Sequence, residues 1–198
     1  MSIDSQDAKR RREAGTSLGQ LGVVVVLVSI SVIFIAASLA VLITNHQAAS
    51  SWRAGGRHEL PWGTLASTAA LVVVSWRLQS ALVAIRNNRF THCLNGWRQA
   101  GAAAMFFLFA QALNVRRLAE LEGVRATQTL FLFCYDLLVG LHALHVIGGF
   151  VPLVWVHAKL MRQDYSSSSH DGVTFTVQYW HYLGVVWLLL LGVLTWVG

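Results

Sequence analysis

Three histidines near the middle of apolar stretches of this 198-residue chain could ligate a heme or a metal ion. His142 and His145 are three residues apart, so one helix would place both on the same face, and His181 lies in the following apolar stretch. A metal site also needs coordinated further ligands and supporting groups, which this pattern does not supply. We therefore interpret the three histidines first as neutral residues that hydrogen-bond between helices, with ligation as the alternative.

The histidines belong to two stripes with helical spacing. The first stripe consists of Tyr135, Leu138, His142, His145 and Gly149. The second stripe consists of Gln178, His181, Val185, Leu188 and Gly192. Because glycine lets two backbones approach closely, both stripes are predicted to face neighbouring helices.

Arg77 and Asp136 are the two fully charged side chains deep in the apolar stretches. Each lies nine residues from a flanking polar segment, on opposite sides, which corresponds to roughly 13 Å of helix. We hypothesise that they pair near mid-depth, since an unpaired charge there is costly. The alternative is that Arg77 extends towards the inner surface while Asp136 is protonated or bonded to a hydroxyl.

Composition places the chain among membrane proteins, with 55% hydrophobic residues, 12% charged residues and a mean hydropathy of +0.54. Each long apolar stretch predicts a membrane-spanning helix, since about 20 residues cross the hydrocarbon core. The predicted fold is an all-α, polytopic transmembrane bundle of five helices, with spans at residues 18–44, 64–84, 100–115, 127–160 and 173–197. The net charge of +6 is typical of basic loops, and we expect no nucleic-acid partner.

Basic residues predict the orientation. Residues 1–17 form a basic tail, and with this tail in the cytoplasm nine Lys and Arg residues lie inside and five outside. The excess predicts a cytoplasmic N-terminus and an external C-terminus. Five tryptophans near the span ends are typical of an interfacial belt: Trp62, Trp97, Trp155, Trp180 and Trp196.

Two segments together resemble subunit III of the heme–copper oxidases, the cytochrome c and quinol oxidase family. Residues 140–146 (GLHALHV) resemble its G-x-H-G-x-H-V helix, and residues 179–187 (YWHYLGVVW) resemble its final Y-W-H-F-x-D-x-V-W helix. Gln111 and Asn114 resemble the Q-x-x-E pair of the preceding helix. Five spans with an external C-terminus are what the short bacterial form of this subunit implies.

The chain departs from the family pattern at four positions. Ile30 and Asn114 stand where glutamate is usual, Gly184 where aspartate is usual, and Ala143 where glycine is usual. Three acidic positions are thus neutral, which identifies a divergent member of the family.

The resemblance implies a non-redox, multi-pass subunit of a respiratory terminal oxidase in a bacterial plasma membrane. Such a subunit supports oxygen reduction, electron transport and proton translocation by the catalytic subunit without catalytic, metal-binding or cofactor-binding residues of its own. Hemes and copper are expected in the catalytic subunit I, subunit II is expected as a second partner, and phospholipid is expected to bind between the helices. Intramembrane structural roles are expected for Arg77, Gln111, Asn114, Asp136, His142, His145, Trp180, His181 and Trp187.

Three alternatives stay open. The chain could be the subunit III-like accessory protein of nitric oxide reductase, which is similar in size and helix pattern. It could be a small b-type heme protein that uses His142 or His145 with His181. It could also be a small transporter with Arg77 and Asp136 as pathway residues, although no inverted repeat supports this interpretation.

Overall fold

The computed structural model describes residues 3–47, 63–123 and 130–197, and all three ranges are helical apart from short connections. The five helices are α1 (Ile3–Gln47), α2 (Gly63–Arg86), α3 (Phe90–Gly123), α4 (Leu130–Met161) and α5 (Asp171–Val197). The described ranges contain no β-strand. The predicted all-α fold with five helices is therefore confirmed.

Within the described ranges, four segments are long and apolar enough to cross a membrane: Gln20–Gln47, Gly63–Arg86, Phe133–Met161 and Asp171–Val197. The helix α3 is not among them, although its 34 residues would extend about 51 Å. Its apolar middle is short, and Arg98, Gln111 and Asn114 lie at the margins of that middle. The helix α3, which holds the predicted third span, is thus the one of the five described helices whose composition suits a membrane least.

Two helices extend well beyond the predicted spans. The helix α1 begins at Ile3 rather than at residue 18, and α3 covers Phe90–Gly123 rather than residues 100–115. Apolar composition marks only the part of a helix that suits lipid, whereas the backbone hydrogen bonds of a helix are internal and continue through polar sequence. The predicted start of the fourth span, Thr127, lies outside the described residues.

The helices α2 and α3 form a tight antiparallel hairpin. Asn88 has a positive φ of 56°, and the amide of Arg89 donates to the carbonyl of Ala84 at 2.8 Å, which ends α2 and starts α3 within three residues. Gly96 packs against α2 so closely that a Cβ atom there would lie 3.2 Å from the Arg77 carbonyl oxygen. Small residues at this contact allow the two backbones to approach over most of their length.

The helices α4 and α5 complete the core, and α1 packs on their outer side. Ile30, Phe34 and Val41 are the buried large apolar residues of α1 between residues 20 and 47. The Ser31 hydroxyl lies 2.7 Å from the Tyr182 hydroxyl and links α1 to α5. The remaining side chains of α1 between residues 20 and 47 are largely exposed, as suits a helix surrounded by lipid.

The buried face of α5 is not the predicted one. Val185 and Leu188 are 56% and 54% exposed, so the prediction that their stripe faces neighbouring helices is wrong for these residues. The buried stripe consists instead of Val173, Val177, Trp180, Leu183, Trp187, Leu190 and Leu194. In a span that is apolar on all sides, periodicity identifies the possible faces but does not select among them.

Candidate functional site: the polar interior around His142

His142 lies in the centre of the bundle, enclosed by aromatic rings. Its side chain is 1% exposed, and its ring centroid lies 5.2 Å from that of Trp187, 5.8 Å from that of Phe107 and 6.0 Å from that of Phe34. Neither ring nitrogen has a hydrogen-bond partner within the described ranges. The imidazole ring therefore packs between aromatic side chains of α1, α3 and α5.

Trp187 connects this aromatic cluster to α2. Its Nε1 donates to the Thr68 Oγ1 at 2.9 Å, and the Thr68 hydroxyl in turn donates to the Thr64 carbonyl at 2.7 Å. Its ring contacts Phe107 edge-on at 5.4 Å. A single buried side chain thus fixes α5 against α2, α3 and α4.

A polar layer lies at one end of the bundle, towards the start of α2 and α4. We define it as Thr64, Gln111, Asn114 and Tyr135, which are all buried. Asn114 Nδ2 donates to Gln111 Oε1 at 3.2 Å, and Tyr135 lies beside Thr64. A Cβ atom at Gly63 would collide with Asn114 Oδ1, so α2 begins in direct contact with this amide.

The other two histidines have different surroundings. His145 Nδ1 lies 2.8 Å from the Leu141 carbonyl oxygen, and its ring centroid lies 5.1 Å from that of Phe34. His181 Nε2 lies 3.3 Å from Gln79 Oε1 and links α5 to α2. The three histidines share no hydrogen-bond partner, and the described residues contain no group of three or more His, Cys, Asp or Glu that could hold a metal ion.

The helices α4 and α5 meet at Gly149. The Tyr179 hydroxyl donates to the His145 carbonyl at 2.9 Å, and Trp180 Nε1 donates to the Gly149 carbonyl at 3.3 Å. A Cβ atom at Gly149 would lie 2.9 Å from Tyr179 Cε1 and 3.2 Å from Trp180 Cζ2. The helices α4 and α5 are therefore joined by hydrogen bonds from two side chains of α5 to backbone carbonyls of α4, at a point where Gly149 lets the helices approach closely.

The prediction that tryptophans near the span ends lie at the membrane interface is wrong for two of them. Trp97 and Trp180 are buried, and Trp97 Nε1 donates to the Leu153 carbonyl at 2.9 Å. Trp155 and Trp196 are exposed, as an interfacial position requires, and Trp62 lies outside the described residues. The spacing of seven residues between Trp180 and Trp187 was the available signal for one buried face.

Arg77 and Asp136 do not form the hypothesised pair. The Arg77 guanidinium lies 4.4 Å from the centroid of the Trp76 ring, and Asp136 Oδ1 has no hydrogen-bond partner among the described residues. Asp136 adjoins Tyr135, which lies level with Thr64, whereas Arg77 is thirteen residues further along α2, a distance of about 20 Å. The two charged groups thus lie at different depths.

This separation gives a testable expectation for Asp136→Asn. Because the carboxyl group makes no ion pair with any described residue, the change should alter the free energy of unfolding by no more than about 0.5 kcal/mol. Thermal unfolding of the wild type and the variant in the same mild detergent measures the difference. A loss larger than about 1 kcal/mol would contradict the expectation that the carboxyl group of Asp136 makes no stabilising interaction.

Two of the three positions that lack the family's acid are buried, and the third packs against α2. Ile30 and Asn114 are buried, and a Cβ atom at Gly184 would lie 3.5 Å from Ser75 Oγ. A carboxylate at such a position would need a partner or a proton, because charge inside the membrane is costly. The neutral residues of this chain avoid that requirement.

Comparison with known proteins agrees with this architecture. The family model for cytochrome c oxidase subunit III matches residues 13–198. Cytochrome c oxidase subunit 3 of Synechocystis is 30% identical over 176 residues, which cover 87% of this chain and 73% of that protein. Subunit 3 of Thermostichus vulcanus is 26% identical over 173 residues, 86% of this chain and 83% of the relative.

Subunit 3 of Artemia franciscana is 30% identical over 130 residues, which cover 64% of this chain but only 46% of that longer protein. The family match includes all four apolar spans and both segments that carry the histidines. The chain belongs to the cytochrome c oxidase subunit III family.

Proposed function

We propose that this chain packs against the catalytic subunit I, and beside subunit II, of a respiratory terminal oxidase in a bacterial plasma membrane. Membership of the family makes it an accessory subunit III of a heme–copper oxidase, associated with other oxidase subunits. The observation that carries the proposal is the family match over residues 13–198, which includes the apolar part of α1 and all of α2 to α5. In this role the chain supports oxygen reduction and proton translocation by its neighbour.

The chain itself carries no heme or copper in this proposal. Two features of the histidines support it: the His142 ring is enclosed by three aromatic side chains, and His181 is bonded to Gln79. A b-type heme between these residues would require both histidines to face one open space. The hemes and copper then belong to the catalytic subunit.

Phospholipid is proposed to bind along the helices. An apolar groove between α1 and α5 is lined by Ser31, Phe34, Leu39, Tyr182, Val185 and Leu189. Its apolar walls suit an acyl chain, and the two hydroxyl groups at Ser31 and Tyr182 already satisfy each other.

The proposed orientation places the α2–α3 turn and the α4–α5 connection in the cytoplasm. Arg86 Nε lies 3.3 Å from His170 Nε2, and an Arg98 nitrogen lies 3.6 Å from the Met161 sulfur, so these segments meet at one end of the bundle. Basic residues concentrated at this end support a cytoplasmic location.

The test of the proposed assembly is purification of the tagged chain from its native membrane in mild detergent. We expect a large subunit that contains heme and copper to co-purify, detected by mass spectrometry, visible absorption and metal analysis. An unrelated multi-pass protein with the same tag is the control. A co-purifying heme subunit without copper would favour the nitric oxide reductase alternative, and heme bound to this chain alone would contradict the non-redox role.

A further inference from the structure

A polar cavity opens beside the turn between α2 and α3, at the opposite end of α2 from the polar layer. Its polar lining consists of Arg77, Ser80, Arg89, His92, Asn95 and Gln99, together with Asn87. Every hydrogen-bonding side chain on this lining is basic or neutral, and none is a carboxylate. The cavity therefore concentrates positive charge where the bundle meets its aqueous surface.

The basic groups of this cavity have few competing partners. Among the described residues, the only interaction of the Arg77 guanidinium is with the Trp76 ring, and Arg89 and His92 have no side-chain hydrogen bond or ion pair. The one ion pair between described residues, Arg116 with Glu120, lies far along α3. The guanidinium groups are thus available for a ligand.

The start of α3 adds to the positive potential. The first intrahelical hydrogen bond of α3 runs from the Cys93 amide to the Arg89 carbonyl at 3.1 Å, so the amides of the preceding turn have no partner within the helix. The positive end of the dipole of this 34-residue helix lies beside Arg89 and His92, which both line the cavity. The helix dipole and the basic side chains of the cavity both favour a negatively charged ligand.

We propose that this cavity binds a phosphate-bearing anion, which is held by Arg77 and Arg89 with His92, Asn95 and Gln99 as additional hydrogen-bonding groups. Guanidinium groups match the oxygen geometry of phosphate with paired donors, and amide side chains complete such a shell. The anion can be the head group of an acidic phospholipid or a soluble phosphate. Trp76, next to Arg77 in sequence, and Val83, which lines the cavity, are exposed and offer apolar surface for acyl chains.

This site is distinct from the apolar groove between α1 and α5. It also does not depend on the proposed oxidase partners, since every lining residue belongs to the α2–α3 hairpin and its turn. Binding to the purified chain and co-purification with a heme subunit can therefore fail independently of each other.

Native mass spectrometry of the detergent-purified full chain tests the proposal, with an equimolar mixture of phosphatidylglycerol and phosphatidylcholine as the probe. We expect phosphatidylglycerol to be retained preferentially, and Arg89→Gln to lower that retention about fivefold. Arg98→Gln is the matched control, since Arg98 is an exposed arginine nine residues after Arg89 that does not line the cavity. This control should retain the lipid as the wild type does.

Titration with inorganic phosphate identifies the source of the anion. Displacement of phosphatidylglycerol by millimolar phosphate, reduced in Arg89→Gln, would assign the cavity to soluble phosphate, whereas retention of the lipid would assign it to a head group. His92→Gln provides a second, milder variant if the thermal unfolding of Arg89→Gln shows a folding defect. Equal retention of both lipids without phosphate binding, or equal losses in the Arg89 and Arg98 variants, would overturn the proposal.

Discussion

Replacement of Trp187 by alanine is expected to destabilise the membrane domain by about 3 kcal/mol or more. The side chain is buried, contacts Phe107 and His142, and donates from Nε1 to Thr68. Its removal leaves a cavity among four helices that the surrounding aromatic rings cannot fill without leaving their present contacts. Thermal unfolding in mild detergent, followed by circular dichroism, measures the loss.

Trp196→Ala is the matched control for this experiment. Trp196 lies on the same helix but is 83% exposed, so its removal should change the free energy of unfolding by no more than about 0.5 kcal/mol. Trp187→Phe separates the two contributions, because it keeps much of the ring and removes the N–H donor, for which we expect about 1 kcal/mol. Equal effects of the alanine changes at positions 187 and 196 would contradict a structural role for the buried tryptophan.

Substitution of Gly149 by alanine is expected to cost about 1–3 kcal/mol, although alanine is intrinsically the better helix former. The added Cβ would lie 2.9 Å from Tyr179 Cε1 and 3.2 Å from Trp180 Cζ2. Both rings are held by hydrogen bonds to α4 carbonyls, so they cannot retreat without loss of those bonds. We therefore expect α4 and α5 to separate slightly, with a lower unfolding temperature in detergent.

The adjacent glycine provides the control. A Cβ at Gly148 would meet only the Tyr179 hydroxyl, at an ordinary contact distance of 3.9 Å. Gly148→Ala should therefore be neutral or stabilising by up to about 1 kcal/mol through its helix propensity. If both alanine variants were stabilised alike, the close contact at Gly149 would not limit the approach of the two helices.

The membrane helices and the inner face of α4 could be predicted from the sequence. The long apolar runs predict where helices suit lipid, and helical spacing places Tyr135, Leu138, His142 and Gly149 together, where all four are buried. The segments that resemble subunit III contain the residues that join α4 to α5. These features depend on residues close together in the sequence, so they can be predicted from one sequence alone.

The choice of face on α5 depends on partners that local sequence does not display. Val185 and Leu188 are as apolar as the buried residues, and the observed rotation of α5 is favoured by polar contacts with other helices, among them the hydrogen bonds that Trp187 and Trp180 donate to α2 and α4. Burial in a bundle without a hydrophobic driving force between helices is decided by packing and hydrogen bonds. The sequence alone therefore does not tell whether a tryptophan near a span end is buried or lies at the membrane interface, because the hydrogen-bond acceptor of its N–H group is not known.

The depth of Asp136 depends on which residues of the neighbouring helices lie beside it. Counting from Thr127 places Asp136 near mid-depth, but the adjacent Tyr135 lies beside Thr64, at the start of α2. Similarly, the cavity beside the turn combines Arg77 from the middle of α2 with Arg89 and His92 from the start of α3. Only the antiparallel packing of the two helices brings these positions together.

The three-residue turn between α2 and α3 has a consequence for how the chain enters its membrane. The helix α3 falls short of the apolarity that the four other spans reach, so on its own it would partition into lipid less readily. The turn keeps the start of α3 next to the end of α2, and α2 packs closely against Gly96 of α3. We therefore expect α2 and α3 to insert into the bilayer together as a hairpin, in which the more apolar α2 favours the insertion of α3.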